Sequence, residues 1–113
     1  MSPIRKGAQP MMTVITRVTL RAGNEPEWDE AMRERLGAAR NQAGWVGGQM
    51  LIPLEGLNQR VIVGTWQTRG DWEAWHEDPA FQETRQRMEK LQDQPDRMDW
   101  FEVAIEAREA TGV

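Results

Sequence analysis

The sequence predicts one α+β domain in which helices cover a single face of a four-stranded antiparallel sheet. Three observations carry that expectation. Apolar, mostly β-branched residues run through 12–20 and 59–66 and alternate with polar ones over 98–106, as half-buried strands require. Apolar residues recur at helical spacing from Trp28 to Ala39 and again from Phe81 to Leu91. Clusters of Gly, Asn, Asp and Pro separate these runs. The 113 residues suffice for one domain with one modest core.

Residues 1–10 read as a tail containing two prolines and a glycine, and 11–107 as the domain. The first strand runs from Met12 to Leu20, with Val14, Val18 and Leu20 on one face. Gly23 and Asn24 end it. Asn24 is the expected N-cap of a helix, with Pro26 in its first turn and Glu27 completing a capping-box-like arrangement. That helix turns Trp28, Ala31, Met32, Leu36 and Ala39 inward and ends near Gly44. Trp45–Pro53 reads as the second strand, where Gly47 and Gly48 mark a bulge or a close backbone approach. After a turn holding Pro53 and Gly56, the third strand returns from Gln59 to Trp66.

A short helix from Asp71 to about Glu77 carries Trp72 and Trp75. Asp78 and Pro79 then form an N-cap with proline at the first helical position, opening a helix to about Gln92. Its inward stripe is Phe81, Thr84 or Arg85, Met88 and Leu91. A polar loop leads to a fourth strand, Met98–Glu106, in which Phe101, Val103 and Ile105 share a face; 108–113 form a second tail. The order β-α-β-β-α-β is the ferredoxin-like arrangement. Its helix-free face carries apolar residues of its own and needs a cover. Closing two such sheets on each other predicts a homodimer, a dimeric α+β barrel.

Composition narrows the function. The net charge of −4 is built from interspersed signs, so nucleic acid is not an expected partner. The longest apolar runs are about five residues, too short for a membrane span. Arg5 and Lys6 precede no apolar stretch, so no secretory signal is expected and the cytoplasm is the default. The absence of Cys removes disulfides, thiolate nucleophiles and most zinc sites, and a single histidine makes any metal site unexpected. Six Trp with no Tyr is a skewed aromatic set.

Three features are candidates for chemistry. Trp66 ends the third strand, and Trp72 and Trp75 follow on the short helix, at the rim where sheet and helices enclose pockets. All three are equally readable as core or dimer-interface residues. Arg85 lies between Phe81 and Met88 at helical spacing, which makes it either a cation aimed into a pocket or an arginine whose head reaches water or a carboxylate such as Glu102. His76 is either an acid–base group or a partly exposed residue steadying a helix C-terminus.

The stretch from Trp66 through Thr68-Arg-Gly-Asp-Trp-Glu-Ala-Trp75 to His76-Glu-Asp-Pro-Ala-Phe81 resembles the antibiotic biosynthesis monooxygenase family, and the similarity extends over about 12–106. The resemblance implies a dimeric ferredoxin-like fold with a pocket in each protomer. It also implies a cofactor-independent monooxygenase that uses dioxygen on a small aromatic or polyketide-like substrate. Trp66 and Arg85 match the anthrone-oxidising branch, although the chain lacks the Tyr expected near Trp72. In the heme-degrading branch the expected histidine falls on Arg85 and the expected asparagine on Thr16, so that activity is disfavoured.

Under the oxygenase reading, Trp66 and Trp72 stack the substrate and Trp75 stands further out. Phe81 and Thr16 complete the substrate contacts. Arg85 holds the phenolate or the reduced oxygen species, and His76 is the one conventional base. No cofactor and no metal are expected. The rival reading is a non-catalytic, stress-associated dimer that binds a hydrophobic ligand. A purely structural reading predicts no ligand-sized cavity beside Trp66.

Overall fold

A computed structural model describes residues 10–107. Apart from Pro10, the tails expected at 1–10 and 108–113 lie outside the described residues. Among these the elements are β1 (Met12–Thr19), α1 (Glu25–Ala39), β2 (Trp45–Leu51), β3 (Gln59–Trp66), α2 (Arg69–His76), α3 (Pro79–Glu89) and β4 (Arg97–Glu102). The strands form one antiparallel sheet in the order β2-β3-β1-β4. This is the expected ferredoxin-like arrangement, with α2 inserted before the second long helix.

Residues directly opposite one another in neighbouring strands share a face. Met12 lies opposite Trp66, Val14 opposite Gly64 and Trp100, and Thr16 opposite Ile62 and Met98. These residues face the helices. Two buried clusters form there: one joins Val18, Leu20, Trp28, Met32 and Met88, and the other joins Met12, Ala39, Trp66, Trp75 and Phe81. The opposite face carries Ile15, Val61 and Val63, all half-buried, beside Leu51 and Phe101, which are 43% and 48% exposed.

Several local expectations change in the folded chain. Asn24 makes no side-chain cap; instead the Glu25 carboxylate accepts from the Gly23 amide at 2.9 Å. Asp78 does cap α3, accepting from the Ala80 amide at 2.8 Å. α2 begins two residues earlier than expected because Thr68 Oγ1 accepts from the Asp71 amide. β4 ends at Glu102 rather than Glu106, since its partner β1 starts at Met12. One further bond, Val103 N to Met11 O, closes the ladder, and Ile105 beyond it is 91% exposed. Both readings of the glycine pair hold. The register shifts between Trp45 and Gly47, and a Cβ at Gly48 would stand 2.6 Å from the Trp45 ring.

Candidate active site

A cavity of about 90 Å³ lies between the sheet and the helices, within a depression of about 700 Å³ counted out to its open mouth. An apolar cavity of about 150 Å³ suffices for benzene, so the enclosed part is smaller than one ring needs, and even a single ring would reach into the open mouth. A larger molecule would extend through the mouth. The purely structural reading of the tryptophans predicts no ligand-sized cavity beside Trp66, and the enclosed part found there is below that size.

The sheet supplies the floor. Trp66 is 2% exposed and stands edge-on to Trp45, with ring centroids 5.2 Å apart. Its position follows from register: opposite Met12 in β1 and Trp45 in β2, it ends a central strand on the helix side. Val14, Thr16 and Ile62 continue this surface. Helix α2 supplies one wall, with Trp72, Trp75 and His76 within a single turn and a half. Trp75 is buried, 6.4 Å from Trp66, whereas Trp72 is half-exposed. Their expected order is therefore reversed: Trp75 lies deeper and Trp72 nearer the rim.

The His76 ring lies between Trp72 and Phe81, 4.1 Å from each in centroid distance. Its Nδ1 is 3.0 Å from the Trp72 carbonyl oxygen. A carbonyl can only accept, so Nδ1 carries the proton and Nε2 is left as an acceptor in the neutral ring. Burial, above all, pushes the His76 pKa below its ordinary value of 6.5; nearby Arg35 and Arg85 push the same way, against the Trp72 carbonyl and Asp96. His76 is thus neutral at pH 7 and faces the cavity.

The cation in this wall is not Arg85. Phe81, Thr84 and Met88 form the buried stripe of α3, and Thr84 takes the inward place between the other two. Arg85 lies just off that stripe, 53% exposed, with its Nε 2.8 Å from Glu89 one turn on. Its long side chain gains a carboxylate partner in water that the apolar interior does not offer. Arg35 of α1 lines the cavity instead. Its guanidinium carbon sits 4.2 Å above the Phe81 ring, and its Nε donates to Thr84 Oγ1 at 3.0 Å. Burial lowers its pKa to about 10, with exposed Asp96 at the mouth acting in the opposite sense. Arg35 therefore remains charged at neutral pH.

Thr16, Trp66, Trp72, Trp75, His76 and Phe81 thus converge on one cavity, and Arg85 does not. Arg35, Trp45 and Asp96 join them without having been singled out in the sequence. The spacing rule that promoted Arg85 applies equally to Arg35, three residues after Met32 and four before Ala39. Among the described residues, no group of three or more His, Cys, Asp or Glu is placed to hold a metal ion.

The family model described as "Antibiotic biosynthesis monooxygenase" matches residues 11–87. The chain belongs to this family. Among solved structures, one from Nitrosomonas europaea that bears the family's name superposes with a TM-score of 0.82 at 16% identity, covering 85% of this chain and 92% of that one. SnoaB, a cofactor-independent oxygenase from Streptomyces nogalater, superposes with a TM-score of 0.75 at 17% identity, covering 92% and 99%. These likenesses establish the fold. A mycobilin-producing heme oxygenase from Mycobacterium tuberculosis is 30% identical over 66 residues, which span 58% of this chain and 63% of that protein's length.

Proposed function

We propose that this chain is a cofactor-independent monooxygenase acting on a small aromatic substrate, one ring of which enters the tryptophan-walled cavity. The observation that carries the reading is Arg35: a charged guanidinium in an apolar cavity, with one protein hydrogen bond among the described residues. Such a group is equipped to hold an oxyanion. SnoaB, with the same fold, is a cofactor-independent oxygenase, which supports the reading by likeness alone.

In this mechanism His76 Nε2 takes the proton of a phenol or enol, and Arg35 stabilises the resulting anion. The electron-rich anion passes one electron to dioxygen, and the substrate radical and superoxide combine at carbon. Collapse of the peroxide leaves one oxygen atom as a new carbonyl and releases the other as water. Trp66, Trp75 and Phe81 hold the ring and exclude water, with Trp72 and Thr16 at its flanks. Arg85, on the solvent side, has no part in this scheme.

The test is oxygen uptake with a model anthrone, comparing the parent chain with Arg35→Met. Uptake by the parent, abolished in the variant, is the expected result. Binding without uptake would favour the non-catalytic ligand-binding dimer.

Heme degradation is a second reading, favoured by the mycobacterial relative. The site fits it poorly. The chain's one imidazole is wedged between two rings, and an enclosed volume of about 90 Å³ is far below what a macrocycle occupies. A Soret shift on adding heme, followed by bleaching with a reductant, would reverse that judgement.

The open sheet face supports a homodimer closed over Ile15, Val61, Val63 and Phe101. Val63→Glu would place a charge at the centre of that face. Sedimentation should then report a monomer where the parent sediments as a dimer.

A further inference from the structure

Five of the six tryptophans, with Phe81 and His76, form an unbroken file across the molecule. Trp45 meets Trp66 at 5.2 Å, Trp66 meets Trp75 at 6.4 Å, and Trp75 meets Phe81 at 5.7 Å between ring centroids. His76 bridges Phe81 and Trp72 at 4.1 Å each, and Trp72 ends on Trp100 at 5.6 Å. Trp45 opens β2 and Trp100 lies in β4, so the file runs from one edge of the sheet to the other. Three strand spacings separate those edges, roughly 14 Å. Burial changes along the way: Trp66 and Trp75 are buried, Trp72 is half-exposed and Trp100 is 41% exposed.

Indole is among the side chains most easily oxidised by one electron, and its usual competitors, Tyr and Cys, are absent from the chain. Methionine reacts mainly by taking up an oxygen atom. An electron vacancy formed in the cavity therefore settles on tryptophan. We propose that the file is a one-electron relay, carrying an oxidising equivalent from the cavity wall at Trp66 to the surface at Trp100. A soluble hydrogen-atom donor, of the ascorbate or thiol class, then quenches it.

The steps balance. A radical oxidant in the cavity, generated from dioxygen, takes one electron from Trp66 and is itself reduced by one. Trp75 refills Trp66. Trp72 refills Trp75 across one helical turn, with Phe81 and His76 as bridging rings rather than stopping points. Trp100 refills Trp72, then releases its indole proton to water, and the donor returns a hydrogen atom. The outward direction has a physical cause: a cation on a buried ring is poorly solvated, whereas the Trp100 ring reaches water. Arg69, with its guanidinium carbon 5.3 Å from the Trp100 ring centroid, opposes a resting positive charge there, so proton loss completes the transfer. The relay extends beyond the oxygenase reading, because any one-electron oxidant formed in the cavity would feed it.

The test injects the vacancy at the β2 edge. Ala43 is exposed, two residues before Trp45, and the chain has no native cysteine. Ala43→Cys in the full chain can therefore carry a single ruthenium polypyridyl photo-oxidant. After illumination with a sacrificial electron acceptor, mass spectrometry maps oxidised tryptophan, and transient absorption follows the indolyl radical. Trp100 is expected to be the main oxidation site, and ascorbate should suppress its oxidation. In Trp72→Phe, oxidation of Trp100 should be lost and appear at Trp45 and Trp66, of which the buried Trp66 is out of reach of ascorbate. Trp75→Phe should behave likewise, and the half-exposed Trp72 position keeps the test valid if the buried variant misfolds. Equal oxidation of Trp100 in parent and Trp72→Phe would overturn the relay, as would oxidation confined to Trp45 in the parent. The tryptophans would then serve only to pack the fold and wall the cavity.

Discussion

Arg60 lies between the sheet and α1 and Arg35 between α1 and α3, and the surroundings of the two guanidiniums differ. Arg60 is 4% exposed and meets both oxygens of Asp29, through Nε at 2.8 Å and Nη2 at 3.0 Å. Its Nη1 donates to the carbonyls of Leu57 and Gln59 at 2.7 and 2.8 Å. Arg35 has the same five N–H donors but only the Thr84 hydroxyl as a partner among the described residues. One arginine has four of its five donors matched by the protein, so its removal should be felt in stability. The other keeps donors in reserve beside an apolar cavity, so its removal should be felt in what the cavity does.

The contrast can be broken in four ways. The largest expected effect is on Arg60→Met, which strands the Asp29 carboxylate. Stability should fall by about 3 kcal/mol in a urea titration, with turnover per folded molecule unchanged. Arg35→Met should do the reverse: about a hundredfold lower kcat, with stability within about 1 kcal/mol of the parent. Equal losses of stability in the two variants would erase the distinction.

His76 sharpens the picture through pH. Its folded pKa lies below 6.5, so between those values the unfolded chain binds more protons than the folded one. Stability should therefore be full above about 6.5, decline as pH falls below it, and level off beneath the folded pKa. His76→Gln should remove that step from the profile of stability against pH. The smallest effect belongs to Arg85→Met, which loses one exposed pair with Glu89. Changes below about 0.5 kcal/mol and no change in kcat are expected. A kcat loss there matching that of Arg35→Met would restore Arg85 to the site.

Much of the fold was legible because it rests on local rules. Asp78 before Pro79 announced α3, and the alternation around Val14 and Val18 announced β1. The Asn24 cap failed because its backbone, at φ −99° and ψ 6°, is outside the extended region that aims a cap side chain at the helix amides, and Pro26 offers no N–H to accept from. The β4 boundary failed because a strand ends where its partner ends. Within the site, the converging tryptophans could be read from their place at a strand end and on the short helix behind it. The cation could not. Arg85 and Arg35 both border an apolar stripe, and only the packing of α1 on α3, with Thr84 occupying the inward place, sends one to water and the other over Phe81.

The sequence by itself determined the order of elements, the faces of the central strands, and the gathering of aromatic residues around Trp66. Each follows from periodicity and turn chemistry within a few residues. Tertiary structure alone decided which arginine faces the cavity, which tryptophan lies deepest, and where the last strand stops. Those outcomes depend on what residues on other elements leave room for, and competition for a shared interior is settled only when the elements pack.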